Sequence, residues 1–382
     1  MRLFSQKKQW RFSKNSGGWR FAKEIRRSMA LDGKKTAGAI PGFWIAAGAL
    51  AAGMLAARGL SKKRARRNTF RGKVVLITGG SRGLGLEMAR RLACEGARLA
   101  LIARNEPDIQ AAREELAAYA EVIALPCDVG RRADIEEAIR QAADHYGRID
   151  VLINNAGFIQ VGPLQHMRVE DFEAAMAVHF WGPLYATLAA LPFMRRQGQG
   201  SIVNISSIGG SVALPHMAPY VASKFALVGL SDAFRAELAR DGITVTTITP
   251  GLVRTGSYYQ GNFKGQNEKE FAWFAKLSAA RLTTLSSERA ARQVLDAARE
   301  GAPRRTLNYQ ARILELADRL FPGLVARLMK RANQSMPDPS VYGGEAIHTG
   351  FESRSSAAPS HATRLGDQAA ERNNQMLAER SP

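Results

Sequence analysis

The chain has 382 residues, 46% of them hydrophobic and 23% charged, ample to bury a core, which excludes a mini-protein stapled by metals or disulfides. Its two cysteines, Cys94 and Cys127, exclude a disulfide framework and a cysteine zinc site, and read as buried small hydrophobes in a reducing compartment. The net charge of +20 is concentrated at one end: residues 1–71 carry 18 Lys+Arg against Glu24 and Asp32 (+16), the remaining 311 carry 36 against 32 (+4), so the body is not a basic nucleic-acid binder.

Residues 1–35 read as a basic N-terminal tail. From Thr36 to Ala57 no charge occurs for 22 residues. As a helix this run is about 33 Å long, enough to cross a hydrocarbon core of about 30 Å. A transmembrane helix is expected over 36–58, followed by a polybasic linker over 59–71 (Lys62, Lys63, Arg64, Arg66, Arg67). The denser charge after the span predicts a single-pass protein with its folded domain on the cytoplasmic side. An export signal and a buried core helix are the competing readings of the run.

From Arg71 onward, short apolar runs alternate with amphipathic stretches. Lys73–Thr78, Arg98–Ala103, Glu121–Pro126, Val151–Asn154, Ser201–Ser206 and Ile243–Thr249 read as strands. Gly85 to Gly96, Glu106–Ala120, Arg131–Tyr146, Val169–Gln197 and Pro219–Asp241 read as helices between or beside them. Apolar strands separated by helices predict an α/β fold: a Rossmann-type doubly wound parallel sheet in three layers, as one catalytic domain over 72–310. Residues 311–332 are amphipathic, with Ile313, Leu316, Leu320, Leu324 and Leu328 in a stripe and Arg312, Arg319, Arg327 and Lys330 elsewhere. That pattern suits a helix packed on the domain or a dimer, or one lying on a membrane near a substrate entrance. Residues 333–382 are polar and are expected to be a disordered tail.

Directly after the first strand stands Thr78-Gly79-Gly80-Ser81-Arg82-Gly83-Leu84-Gly85. The glycines permit a tight turn and close approach of backbone to a pyrophosphate, and the following helix N-terminus supplies unpaired N–H groups. Between a strand and a helix, the motif marks a dinucleotide site. A carboxylate at the end of the second strand would bind a ribose 2′-OH. This chain has Ala103-Arg104-Asn105 there, then Glu106. Arg104 and Arg82 can pair with a 2′-phosphate, which points to NADP(H) in preference to NAD(H). The alternative is that both are surface arginines and Glu106 serves the ribose.

Further motifs follow in order: Cys127-Asp128-Val129, Asn154-Asn155-Ala156-Gly157, Asn204-Ile205-Ser206-Ser207, Tyr220-Val221-Ala222-Ser223-Lys224, and Pro250-Gly251 with Thr255. With the glycine-rich loop, the set resembles the classical short-chain dehydrogenases/reductases over about residues 72–300. The resemblance implies that Asp128 and Val129 lie by the adenine and that Asn155, Ala156 and Gly157 line the cofactor groove. Pro250, Gly251 and Thr255 belong to the same groove, with Thr255 near the nicotinamide amide and diphosphate. It also implies a homodimer or homotetramer built on the helices bearing residues 179 and 220.

Tyr220 and Lys224 are four apart on one helix and share a face. A free tyrosine has a pKa of about 10, and a nearby ammonium is expected to lower it. Tyr220 can then act as general acid in carbonyl reduction or as base in alcohol oxidation. Ser207, at the end of the fifth strand, can hold the substrate oxygen, and the resemblance gives Lys224 the nicotinamide ribose. Where such proteins usually carry a relay Asn, this chain has His179, expected either to serve a proton relay or to be structural. His216, between Ser207 and Tyr220, is within reach of a substrate. The remaining histidines show no metal-ligand spacing, and no metal is expected.

The region after Pro250-Gly251 usually forms the substrate lid in such proteins, and here it holds Tyr258, Tyr259, Phe263, Phe271, Trp273 and Phe274. These suit an apolar substrate, or equally packing on the protein. The expected function is a membrane-anchored NADP(H)-dependent oxidoreductase acting on an apolar, lipid-like carbonyl or alcohol, with no nucleic-acid partner. The alternative is a dinucleotide-binding scaffold or redox sensor without turnover.

Overall fold

The computed structural model describes residues 69–376. The expected basic tail and transmembrane helix, and most of the polybasic linker, lie outside the described residues. In chain order the first half comprises β1 (Val74–Thr78), α1 (Gly83–Cys94), β2 (Arg98–Ala103), α2 (Glu106–Ala117), β3 (Val122–Pro126), α3 (Arg132–Tyr146), β4 (Val151–Asn154), β5 (Gln160–Val161), α4 (Val169–Met176) and α5 (Gly182–Gln197). The second half comprises β6 (Gly200–Ile205), α6 (Ala218–Leu238), β7 (Ile243–Thr249), β8 (Val253–Arg254), β9 (Asn262–Phe263), α7 (Asn267–Ala279), β10 (Leu285–Ser286), α8 (Ser287–Glu300), β11 (Arg304–Thr306), α9 (Tyr309–Leu320), α10 (Pro322–Asn333), β12 (His348–Thr349) and α11 (Arg364–Arg372).

Seven strands form one parallel sheet in the order β11-β7-β6-β4-β1-β2-β3. Successive side chains of a strand point to opposite faces, and here both faces are covered. Val75, Ile77, Leu99 and Leu101 pack with Leu86 and Leu92 of α1 and Val294 of α8. Val74, Leu76, Ala100 and Ile102 pack with Ile135 and Ile139 of α3 and Ala186 and Met194 of α5. Adjacent Leu76 and Ile77 are both 0% exposed, which is why these strands read as continuous apolar runs. Register brings the motif-bearing strand ends together: Thr78 lies beside Ile102 and Asn154, and Asn154 beside Asn204.

Several elements differ from the sequence reading. The seventh strand, β11, was hidden because two of its three residues are arginines, carried at the sheet edge by Glu300 and Glu315. The helix expected over Val169–Gln197 is interrupted by a π turn at Ala177–Trp181 between α4 and α5. Pro183, one turn on, has no N–H to return to the His179 carbonyl, which favours the irregular turn. Among the described residues this is the helix long and apolar enough to cross a membrane, by length and composition only. Its Ala186, Ala190 and Met194 are fully buried in the core of the domain. The 311–332 stretch is two helices, α9 and α10, broken at Phe321-Pro322. Cys127 is buried as expected, whereas Cys94 is exposed.

Residues 333–376, read as part of a polar disordered tail, are folded onto the domain. β12 pairs antiparallel with β9. Asp367 of α11 accepts hydrogen bonds from the Tyr258 and Tyr259 hydroxyls at 2.7 and 2.9 Å. Ala370 packs so closely on Gly256 that a Cβ there would lie 2.2 Å from its own. A few small and polar residues suffice for this docking because the partner surface supplies the aromatic bulk.

Candidate active site

The glycine-rich loop turns sharply between β1 and α1. Gly79 and Gly83 have φ of +66° and +62°, a conformation that favours glycine. A Cβ on Gly85 would lie 2.0 Å from the Gly79 carbonyl oxygen and 2.7 Å from Asn155 Nδ2, so only glycine fits. Asn155 fixes the loop from β4: its Nδ2 donates to the carbonyls of Thr78 (3.1 Å) and Gly79 (3.0 Å). The backbone N–H groups of Asn155 and Ala156 donate to Thr78 Oγ1. Arg82, at the N-cap of α1, gives no side-chain cap. The first-turn N–H groups of α1 therefore have no intrahelical acceptor, the donor set an anion binds. Ser81 is buried and Leu84 half-buried at this turn. The residues present fit a dinucleotide.

At the end of β2, Arg104 and Glu106 are exposed. Arg82 lies nearby and carries a guanidinium lowered from its ordinary value, first by burial and further by the charge of Arg104. Its closest acid is Asp108, at 3.5 Å and buried, not Glu106. Asp108 was missed in the sequence, although Asn105 two residues after β2 is a recognisable helix cap, accepting from the Asp108 N–H at 2.8 Å. Asp108 is raised from its usual value by burial, with Arg82 opposing. Beyond β3, Asp128 Oδ1 accepts from the Gly130 N–H at 3.0 Å, and Val129 packs against Gly182.

Ser207 follows β6, and Tyr220 and Lys224 lie one turn apart on α6. A Cβ placed on Gly209 would lie 3.3 Å from Tyr220 Cε1 and 3.6 Å from Ser207 Oγ, so the two side chains flank one point. Burial pushes the Tyr220 phenol up from its ordinary value, with Ser207 opposing. Lys224 is 5% exposed, donates from Nζ to the Ile205 carbonyl at 3.0 Å and stands 5.7 Å from the centre of the Tyr220 ring. Burial lowers its ammonium to about 7. The expected lowering of Tyr220 by a fully charged Lys224 is thus not what this arrangement produces, because desolvation disfavours the charged form of both groups.

His179 sits in the π turn with both ring nitrogens engaged. Nε2 accepts from the Phe158 N–H at 3.2 Å, and Nδ1 faces Ser223 Oγ at 2.8 Å, whose hydroxyl donates to the Tyr220 carbonyl at 2.8 Å. An Nδ1–H tautomer satisfies all three contacts. Burial first, and Lys224 second, lower the imidazole well below its ordinary value. Both ring nitrogens are thus engaged within the protein, whereas the His179 carbonyl lacks the N–H that residue 183 would return to it in a regular helix. The imidazole joins the loop after β4 to α6 beside Tyr220, 5.4 Å away ring to ring. Gly157 is part of that joint, since a Cβ on it would lie 3.1 Å from His179 Nε2.

On the other side of the site, the Pro250 carbonyl accepts from the Ile208 N–H at 2.7 Å, and the Gly251 N–H donates to Asn308 Oδ1 at 3.1 Å. Thr255 is buried. Most of the lid aromatics pack on one another: Tyr258, Tyr259, Phe263, Phe271 and Phe274 form a buried cluster against which Trp273 packs. His216 points to buried Glu270 of α7, Nδ1 to Oε1 2.8 Å, rather than standing free. One contact had no sequence signal: the Gly83 N–H donates to the carbonyl of Asn373 at 2.8 Å.

A family model described as short chain dehydrogenase matches residues 73–262. The chain is 38% identical over 203 residues to 11-beta-hydroxysteroid dehydrogenase 1A of Arabidopsis thaliana, covering 50% of this chain and 56% of that one, so the match spans about half of that relative's length. It is 39% identical over 186 residues to a putative ketoacyl reductase of Streptomyces coelicolor, covering 48% and 71% of the two. An uncharacterized oxidoreductase of Staphylococcus epidermidis is 33% identical over 183 residues, with 48% and 79% covered. Among solved structures, levodione reductase superposes with a TM-score of 0.56 at 27% identity, over 64% of this chain and 99% of that one.

Proposed function

The chain belongs to the short-chain dehydrogenase family, oxidoreductases of alcohol and carbonyl groups, and from that premise we propose that it is a membrane-anchored, NADP(H)-dependent reductase of an apolar carbonyl. The observation that carries the chemistry is the convergence of Ser207, Tyr220 and Lys224 beside the Asn155-braced glycine loop. The dinucleotide supplies the hydride when bound. Gly79, Ser81, Arg82, Gly83, Leu84, Gly85, Arg104, Asp128, Val129, Asn155, Ala156, Gly157, Pro250, Gly251 and Thr255 form its groove. Ser207 Oγ and the Tyr220 hydroxyl hold the carbonyl oxygen, and Tyr220 delivers the proton. The phenol holds its proton at neutral pH and so can donate it, with Ser207 opposing the burial that makes it a weaker acid. Lys224 binds the nicotinamide ribose, and His179 positions α6 through Ser223.

The preference for NADP(H) rests on Arg82 in the glycine-rich loop and exposed Arg104 directly after β2, where a carboxylate for the ribose 2′-OH would otherwise stand. In the full chain, NADPH is expected to bind more tightly than NADH by fluorescence titration. Arg82→Ala should weaken NADPH about 10- to 100-fold, the worth of a charge-assisted hydrogen bond, and change NADH little. Equal affinities in the parent protein would remove the NADP reading. A panel of apolar and hydrophilic carbonyls in the same assay tests the substrate class, and faster turnover of the hydrophilic ones would overturn it.

Membrane attachment draws on the apolar run at 36–57 and on α9 and α10. Ile313, Leu316, Leu320, Phe321, Leu324 and Leu328 are each 53–62% exposed, with Arg312, Arg319, Arg327 and Lys330 on the same hairpin. An apolar stripe with cationic borders suits an anionic bilayer surface. The full chain should float with phosphatidylserine-containing vesicles and stay bound at high salt, whereas a peripheral, purely electrostatic attachment would wash off. Self-association is proposed through α5 and α6, whose Leu188 and Phe225 are 50% and 43% exposed.

A further inference from the structure

We propose that residues 373–376 are a displaceable plug that competes with the dinucleotide pyrophosphate for the N-terminal turn of α1. The proposal rests on the dinucleotide-binding reading of that turn.

Three contacts place the plug. The Asn373 carbonyl takes the Gly83 N–H at 2.8 Å, one of the donors an anion would use. A carbonyl oxygen and a phosphate oxygen cannot occupy the same position on one N–H. Gln375 is 4% exposed and lies over Gly83, where a Cβ would be 2.7 Å from its Nε2. Gln260 Nε2, from the segment after Thr255, donates to the Gln375 carbonyl at 2.8 Å. The plug thus spans from the glycine loop to the far wall of the groove.

It is held from behind and carries one unpaired polar group in front. Behind it, α11 is docked through Asp367 on Tyr258 and Tyr259 and through Ala370 on Gly256. Asn373 Nδ2 donates to the Ala369 carbonyl at 2.8 Å. Asn374, at φ of +56°, is the left-handed cap residue of α11, and the Gln375 N–H returns to the Ala370 carbonyl at 2.9 Å. In front, buried Gln375 Oε1 has no hydrogen-bond partner, which costs free energy. A phosphate can satisfy the Gly83 N–H better than a neutral carbonyl, because its charge strengthens the bond. Displacement of 373–376 therefore frees the Gly83 N–H for the phosphate and lets Gln375 Oε1 reach a donor, while α11 keeps the segment tethered beside the groove. The plug lowers the apparent affinity by the fraction of molecules in which the groove is closed.

The test compares NADPH binding by the full chain with that of a chain ending at Arg372. Hydrogen exchange of residues 364–376 in the full chain, with and without NADPH, needs no variant and stands if the shortened chain misfolds. The expected result is about tenfold tighter binding after truncation, within the usual range of intramolecular coupling, and faster exchange across 373–376 when NADPH is present. Unchanged or weaker binding by a folded truncated chain overturns the plug, as does slower exchange, which would mean that the segment closes over the nucleotide. Failure of both chains to bind NADPH and NADH would overturn the dinucleotide reading and the plug with it, and so is told apart from failure of the plug alone.

Discussion

Turnover is expected to fall about 10³-fold in Tyr220→Phe, within the range for loss of a positioned general acid, while NADPH affinity stays close to that of the parent. The substitution keeps the ring and removes the hydroxyl. Phe can retain the edge contact with the His179 ring at 5.4 Å and the packing beside Lys224, so the groove should survive. What disappears is the hydroxyl beside Ser207 and, with it, the proton that a carbonyl oxygen must receive. Single-turnover reduction separates the two quantities: amplitude reports nucleotide binding and rate reports proton delivery. A rate within about tenfold of the parent would show that another group supplies the proton. His179→Asn is the internal comparison. As a positioning residue it should lower the rate less than Tyr220→Phe and leave the shape of the pH–rate profile unchanged, because a neutral ring engaged at both nitrogens contributes no titration near neutrality.

The second large effect is expected at Gly85→Ala, with dinucleotide affinity lowered at least about 100-fold, the price of losing two or more charge-assisted contacts at the phosphate turn. The added Cβ would sit 2.0 Å from the Gly79 oxygen, a backbone atom with no rotamer to change. The loop must move, and Asn155, which clamps the same carbonyl at 3.0 Å, must move with it. Overpacking of this kind costs about 1–3 kcal/mol of stability. Gly229→Ala, on α6, is the control: a Cβ there meets nothing within 4 Å and should be neutral or stabilising by roughly 0.5–1 kcal/mol. Titration with NADPH beside thermal unfolding checks both. Normal affinity in Gly85→Ala would mean that the turn does not carry the phosphates.

Much of this was legible because it is local. Strands buried on both faces read as apolar runs, which located six of the seven strands of the parallel sheet. The glycine loop and the Tyr220–Lys224 spacing likewise depend on residues within a few positions of each other. What escaped depends on contacts between distant parts of the chain. β11 is a strand only because β7 and two glutamates receive it. Asp108 matters because α1 brings Arg82 to it. The aromatic residues after Gly251 gave a substrate signal, yet most of them fill a core completed by residues from beyond 333. The polar composition of that last stretch spoke for disorder, since nothing within it shows that Tyr258 and Tyr259 offer hydroxyls to Asp367.

The sheet also has protected borders. On one side it ends at a strand of three residues whose arginines are paired with Glu300 and Glu315. On the other it ends at β3, whose final residue, Pro126, has no N–H to offer. Short, charged or proline-bearing borders are poor templates for an incoming strand. Copies of this domain crowded together therefore resist the edge-to-edge polymerisation that open parallel sheets invite, and encounters between them are left to helical faces.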